Sequence, residues 1–237
     1  MMEPMRLAVI PARGGSKRIP RKNVRPFAGK PMIAHSIAAA LESGCFDRIV
    51  VSTDDDEIAE IATTCGAEVP FRRPAELADD FAGTTAVMQH AVTTLEAEGA
   101  EASHVCCIYA TAPFLTPQTL RDGYDLLING GTSYVFGVAA FPSPIQRALR
   151  IRPDGGVEPI WPENVPVRSQ DLEPAFHDVG QFYWGAAAAW RAAEPVHASA
   201  ALALVVPAHR AQDIDTPEDW TRAEYLYAAL QREQGSA

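Results

Sequence analysis

The run Leu7-Ala8-Val9-Ile10 is apolar without alternation, and it breaks at Pro11 into a loop that holds Gly14 and Gly15. An unbroken apolar run bounded by turn residues reads as a strand buried on both faces. The loop after this strand is unusual in its charge. Between Arg13 and Lys30 there are seven cations, Arg13, Lys17, Arg18, Arg21, Lys22, Arg25 and Lys30, while Met5 to Leu41 contains no Asp or Glu. All three lysines of the chain fall here, although the formal net charge is −10. The cluster is therefore no sample of a basic surface. Glycines that let backbone N–H groups approach an anion, arginines that grip oxygens in pairs and lysines that act as point charges together describe a polyphosphate site. The alternative is a solvated basic loop.

Other phosphate motifs are excluded. Gly-x-x-x-x-Gly-Lys-Ser/Thr does not occur at this loop, and neither does Gly-x-Gly-x-x-Gly. With 47% apolar and 21% charged residues, the 237-residue chain reads as one globular domain. Its acidity argues against nucleic acid and anionic membrane as general partners. No apolar stretch approaches the ~20 residues needed to cross a bilayer, and Met1 to Ile10 has too short an apolar core for a signal segment, so a cytoplasmic location is expected. Cys45, Cys65, Cys106 and Cys107 show no Cys-x-x-Cys spacing, and the adjacent pair is expected to pack as small hydrophobes.

Along the chain, strands are expected at Arg48–Thr53, Glu68–Phe71, His104–Tyr109, Ser133–Ala140 and Leu202–Val206. Helices are expected at Pro31–Ser43, Glu57–Thr64, Thr84–Glu98, Thr119–Asn129, Ala186–Ala193 and Pro217–Arg232. This alternation predicts a parallel sheet covered on both faces, with ligands in the crevice beyond the carboxyl ends of its strands. Asp54, Asp55 and Asp56 read as the acidic start of a helix, with metal binding as the alternative. From 141 to 184 prolines are dense and Asp154-Gly155 signals a hairpin, which predicts an inserted arm too small for a core of its own. Asp213 and Asp215 are two apart, so in an extended segment both carboxylates face one side. That suits a hard cation such as Mg²⁺, and helix-start polarity explains the same residues equally well.

Ile10-Pro11-Ala12-Arg13-Gly14-Gly15-Ser16-Lys17, with Lys22-Asn23, resembles the opening motif of the acylneuraminate cytidylyltransferase family, the CMP-sialic acid synthetases. The resemblance runs from Leu7 to Tyr227. Tyr109-Ala-Thr-Ala-Pro-Phe, Ser143-Pro-Ile-Gln-Arg-Ala and Arg168-Ser-Gln-Asp-Leu-Glu-Pro-Ala-Phe-His-Asp look like its pseudaminic acid branch. The fold implied is α/β, a Rossmann-like, mostly parallel sheet of the nucleotide-diphospho-sugar transferase type with a small inserted dimerisation arm. The activity implied is transfer of CMP from CTP to an acidic nine-carbon 2-keto sugar, pseudaminate in that branch. Sialate, legionaminate and 3-deoxy-octulosonate are the other acceptors, and a non-catalytic nucleotide-binding regulator is the reading from another class.

The resemblance implies nucleotide contacts at Ala12, Arg13, Gly14, Ser16, Lys17, Lys22 and Asn23, and at Arg73, Ala82 and Thr84 near the base and ribose. Thr84 otherwise reads as a helix cap. Arg13, Lys22, Asp213 and Asp215 are implied in catalysis, with Mg²⁺ on Asp213 and Asp215. Tyr109, Arg168, Gln170 and Tyr183 are implied at the sugar, Arg168 on its carboxylate and within reach of a neighbouring subunit of a homodimer. Sialic acid synthetases carry a glutamine where Tyr109 stands. His177 with Asp178 is a further candidate acid–base pair.

Overall fold

A computed structural model describes residues 5–79, 82–197 and 200–235. The strands are β1 (Met5–Pro11), the short β2 (Pro26–Phe27) and β3 (Lys30–Pro31), β4 (Arg48–Ser52), β5 (Ala102–Ile108), β6 (Tyr134–Ala140), β7 (Leu149–Ile151), β8 (Val157–Pro159), β9 (Phe176–Ala186) and β10 (Leu202–Val205). The helices are α1 (Met32–Ser43), α2 (Asp56–Thr64), α3 (Thr84–Ala97), α4 (Pro117–Gly130), α5 (Ala187–Arg191) and α6 (Pro217–Gly235).

Six strands form the central sheet in the order β10-β6-β9-β5-β1-β4. β1 pairs in parallel with β4 and β5, and β10 with β6, whereas β9 runs antiparallel to both of its neighbours. Leu7 to Ile10 lie in the middle of the sheet, buried on both faces. One face packs Ala8, Ile10, Val51 and Cys106 against Ile33, Ile37, Ile58 and Leu120 of α1, α2 and α4. The other packs Leu7, Val9 and Cys107 against Met88, Val92 and Leu95 of α3 and Trp190 of α5. The adjacent cysteines thus point to opposite faces, as the two-residue period of a strand requires, and both pack as small hydrophobes. Burial raises both thiols well above the free range, which keeps them as neutral packing groups.

A third apolar cluster decides where the ends of the chain meet. Ile19, Phe27 and Met32 pack with Ile214, Trp220, Ala223 and Leu230. The loop after β1 and the segment leading into α6 are thereby clamped together, although nearly the whole chain separates them.

The expected helices and most strands occur within a few residues of their predicted bounds. Two expectations change. Glu68–Phe71 forms no strand: it makes isolated bridges, Val50 with Glu68 and Thr53 with Arg72. The arm is shorter than 141–184. The excursion contains the β7–β8 hairpin, but Phe176 to Trp184 belong to β9, which returns between β5 and β6. Its apolar residues mark it as interior sheet; the proline-dense stretch before it hid that boundary.

Candidate active site

Beyond the carboxyl ends of β1 and β5 lies a cavity of 440 Å³. Ten of the residues expected at the site line it: Arg13, Ser16, Lys17, Lys22, Asn23, Arg73, Ala82, Thr84, Tyr109 and Asp215. Arg18, Ala110 and Thr111 are further lining residues. Five cationic side chains and one carboxylate therefore surround this space among the described residues, inside a protein of net charge −10. Low-dielectric walls around one sign of charge focus its field on an incoming anion. The fourteen-residue α3 begins at Thr84 and presents its N-terminus at the same wall, adding the positive end of its dipole.

The loop is held by specific bonds. Asn23, buried, donates from Nδ2 to the Arg13 carbonyl at 2.9 Å, so its amide sets the loop's shape. Arg13 Nη1 donates to the Asp79 carbonyl at 2.7 Å. The Gly14 N–H donates to Asp54 Oδ1 at 3.0 Å, and a Cβ at Gly14 would lie 2.7 Å from Asp55 Oδ2. Gly15 has open space around the same position. Only the first glycine is required by close approach.

The seven cations separate into groups with different roles. Arg13, Lys17, Arg18 and Lys22 line the cavity. Arg21 is turned away: it forks onto Asp55 at 2.5 and 3.1 Å and also meets Glu57. Asp55 caps α2 as expected, its Oδ1 accepting from the Ile58 N–H at 3.0 Å, and the Arg21 bond holds its carboxyl below the usual range. Arg25 stacks over Trp220 of α6, 4.6 Å from the ring centroid. Lys30 faces a different cavity, beside His35 and Glu42. The density of charge in the sequence overstated the number of phosphate ligands, because several cations fasten the loop to its supports.

Arg73, only 6% exposed, donates from Nε to Ser52 Oγ at 3.2 Å and from Nη2 to the Ser52 carbonyl. Burial lowers its guanidinium to about 10, which leaves it a cation at neutral pH. Thr84 does not cap α3. Gly83 occupies that position, and Thr84 Oγ1 instead pairs with the Tyr109 hydroxyl at 3.0 Å.

On the opposite wall, Lys22 Nζ donates to the Ile214 carbonyl at 2.7 Å and to Asp215 Oδ1 at 3.3 Å, and Arg18 pairs with Asp215 Oδ2 at 2.9 Å. Asp213 stands beside this group without lining the cavity, its Oδ1 accepting from the Ile214 N–H at 2.8 Å. The surrounding protein and then the Asp215 carboxylate push the Asp213 carboxyl above the usual range.

Three expected positions fall elsewhere. Ala12 is core, its N–H bonded to the Ser52 carbonyl. Arg168 and Gln170 are exposed on the arm and line no part of either cavity; Arg168 forks onto Asp171 at 2.6 and 3.0 Å. Tyr183 lines a second cavity of 290 Å³, which shares Thr84 and Tyr109 with the first. His177 and Asp178 form no acid–base pair, because His177 Nδ1 meets the Asp178 carbonyl while the Asp178 carboxylate bonds Gly180, Tyr183 and His197. His197 escaped the sequence reading: a lone histidine after Pro195-Val196 carries no local signal.

The family model described as cytidylyltransferase matches residues 7–141, the stretch that contains the basic loop, Arg73, Thr84 and Tyr109. The chain is 44% identical over 221 residues to a pseudaminic acid cytidylyltransferase of Campylobacter jejuni subsp. jejuni serotype O:23/36 (strain 81-176), covering 93% of this chain and 95% of that protein. The chain belongs to the cytidylyltransferase family. Within it, similarity to a CMP-N,N'-diacetyllegionaminic acid synthase of Legionella pneumophila subsp. pneumophila (strain Philadelphia 1) is 34% over 93% of this chain and 95% of that one. A solved structure of CMP:2-keto-3-deoxy-manno-octonic acid synthetase complexed with CTP superposes with a TM-score of 0.70 at 18% identity. It spans 95% of this chain and 99% of that one and shares the fold. The mixed sheet with its helices on both faces is thus shared with that structure, and in this chain the cationic cavity sits at its strand ends. Among the described residues no helix is long and apolar enough to cross a membrane.

Proposed function

We propose that the protein activates pseudaminate: CTP and the nine-carbon 2-keto acid sugar give CMP-pseudaminate and diphosphate. The observation that carries this reading is the cavity in which the β1 loop meets the Asp213–Asp215 segment, five cations around a space that adjoins a tyrosine-lined one. The 44% identity to the Campylobacter jejuni enzyme, against 34% to the legionaminic acid synthase, favours pseudaminate as the acceptor.

In the reaction the sugar's anomeric oxygen attacks the α-phosphorus in line and the α–β bridging oxygen leaves with diphosphate. The sugar's own C–O bond is never broken, so its anomeric configuration is kept, and the hydroxyl proton passes to solvent. Such a transfer is accelerated chiefly by positioning and by charge stabilisation. Arg13, Lys17 and Lys22 hold the β- and γ-phosphates, with Arg18 beside them. Arg73 and the α3 N-terminus face the nucleoside side, and Asn23 keeps the Arg13 backbone in place. Tyr109 stands between the two cavities, where nucleotide and sugar meet.

Magnesium belongs to this reading. Two carboxylates, one raised by burial and then by its neighbour, are the donor chemistry that suits a hard divalent ion. Asp213 and Asp215 would hold it, and when bound it supplies neutralisation of the charge that develops on the phosphates. We also place a homodimer here. The arm exposes Leu149, Ile151 and Val157, Ile151 by 75%, and a second copy covering that face would let Arg168 reach a neighbour's sugar cavity. CTP as substrate fits a cytoplasmic location.

A diphosphate-release assay with CTP, Mg²⁺ and a panel of pseudaminate, legionaminate, sialate and 3-deoxy-octulosonate tests the reading. Pseudaminate is expected to give the highest kcat/KM. Release with none of them would leave a nucleotide-binding protein without this activity.

A further inference from the structure

The second cavity ends at a hydrogen-bonded group that the nucleotide does not need. Asp178 and Tyr183 both lie on β9, five residues apart, so in a regular strand they would face opposite sides. They meet because β9 is bulged. Its register with β6 jumps from Phe136–Tyr183 to Val138–Asp178, and Gly180 sits at φ +60, the left-handed region that favours glycine. The Asp178 carboxylate then accepts the Gly180 N–H at 2.8 Å, the Tyr183 hydroxyl at 2.8 Å and His197 Nε2 at 2.9 Å.

This arrangement fixes which ring nitrogen faces the carboxylate. A carboxylate only accepts, so the Nε2 atom carries the hydrogen and, in the neutral ring, Nδ1 is left as an acceptor. No hydrogen bond engages Nδ1 among the described residues. The ring edge is packed by Phe136 at 5.0 Å between centroids and by Tyr183 at 6.3 Å, which restricts how it turns. Around it the cavity wall is formed by Pro195, Val196, Tyr109 and Tyr183, with Thr84 and Thr85 at the side shared with the first cavity. A positioned acceptor at this wall favours a ligand that offers it a donor, although the His197 side chain itself is 63% exposed.

We propose that His197 is the residue that selects the acceptor sugar, its Nδ1 accepting a hydrogen bond from a hydroxyl or amide N–H of that sugar, with Asp178 as the positioning residue that sets the ring. This rests on the second cavity being the place of the acidic sugar in the function proposed above. His197 is no part of the phosphate chemistry, so its effect falls on the sugar's KM and on the choice between sugars.

The test is steady-state kinetics of the wild type, His197→Phe and His197→Asn with CTP and each sugar, together with calorimetry of CTP binding. Phe keeps the ring packing and removes the acceptor; Asn restores an acceptor oxygen near the Nδ1 position. His197→Phe should raise KM for pseudaminate by up to about tenfold, the size of one lost hydrogen bond, and narrow the preference over the other sugars. Most of the effect should lie in KM rather than kcat, CTP binding should be unchanged, and His197→Asn should recover part of the loss. If His197→Phe keeps the wild-type KM and preference, or if Asn is no better than Phe, the inference is overturned. Should the Phe variant lose CTP binding, the Asn variant alone decides, by whether its sugar KM lies closer to wild type than that of His197→Ala. A wild type that makes no CMP-sugar would sink the proposed function and this inference with it; a working wild type with an indifferent His197 would sink the inference alone.

Discussion

Lys22 Nζ lies 3.3 Å from Asp215 Oδ1, a contact between residues 193 positions apart. It joins the cation-rich loop at the start of the chain to the carboxylates near its end, and the apolar cluster of Ile19, Phe27, Ile214 and Trp220 holds the two segments in place. The phosphate side of the site depends on that closure.

Arg13→Ala removes a cation that faces the cavity from a backbone held by Asn23. Removing one such preorganised contact to developing charge should lower kcat/KM by about 10²–10³, with the thermal midpoint little changed. Steady-state kinetics alongside a melting curve check this; a near-wild-type kcat/KM contradicts the assignment.

The two loop glycines should behave differently. Gly14→Ala places a Cβ 2.7 Å from Asp55 Oδ2, against the carboxylate that Arg21 grips, whereas Gly15→Ala meets nothing. The first should weaken CTP binding about tenfold, as expected when a charge-assisted contact is displaced. The second should leave the CTP dissociation constant where it was.

Arg25 belongs to the same run of charge as Arg13, yet it stacks on Trp220. Arg25→Ala should cost about 0.5–1 kcal/mol of stability, the worth of an exposed cation–π contact, and leave CTP affinity unchanged. Equal loss of affinity at Arg25 and Arg13 would contradict this division of the cations.

Asp213 supplies a pH-dependent prediction. Its folded-state proton affinity is raised, by burial first and by Asp215 second, with Lys22 opposing. A carboxyl raised on folding favours the folded state at low pH, and that contribution is lost as pH climbs from the free-aspartate value of about 3.9 through the folded one. In EDTA at neutral pH, Asp213→Asn should therefore be at least as stable as the wild type, while its magnesium-dependent turnover collapses. Mg²⁺ should raise the thermal midpoint of the wild type in the presence of CTP and have less effect on the variant. A destabilised variant with normal turnover would contradict the metal role.

Much of this site was legible in the residues. The Leu7–Ile10 run located the central strand, because burial on both faces leaves no alternation to read. The face Val87, Met88, Ala91, Val92 and Leu95 located α3, and all five are buried. What stayed hidden depends on long-range closure. Nothing near Arg25 announces Trp220, and nothing near Asp178 announces that a bulge will carry it to Tyr183 and His197. The start of β9 reads as arm because it follows a proline-dense stretch, and its place between β5 and β6 is a property of the sheet. Arg168 lies apart from both cavities within one chain, since its motif sits on the excursion.

The central claim is that this cavity holds a nucleoside triphosphate. Calorimetry of CTP with the purified protein in Mg²⁺ tests it most directly, run on the wild type, Arg13→Ala and Lys22→Met. The account predicts saturable CTP binding by the wild type that weakens about tenfold or more in each variant, the worth of one charge-assisted contact. No CTP binding by the wild type, or binding that both variants leave untouched, would contradict it.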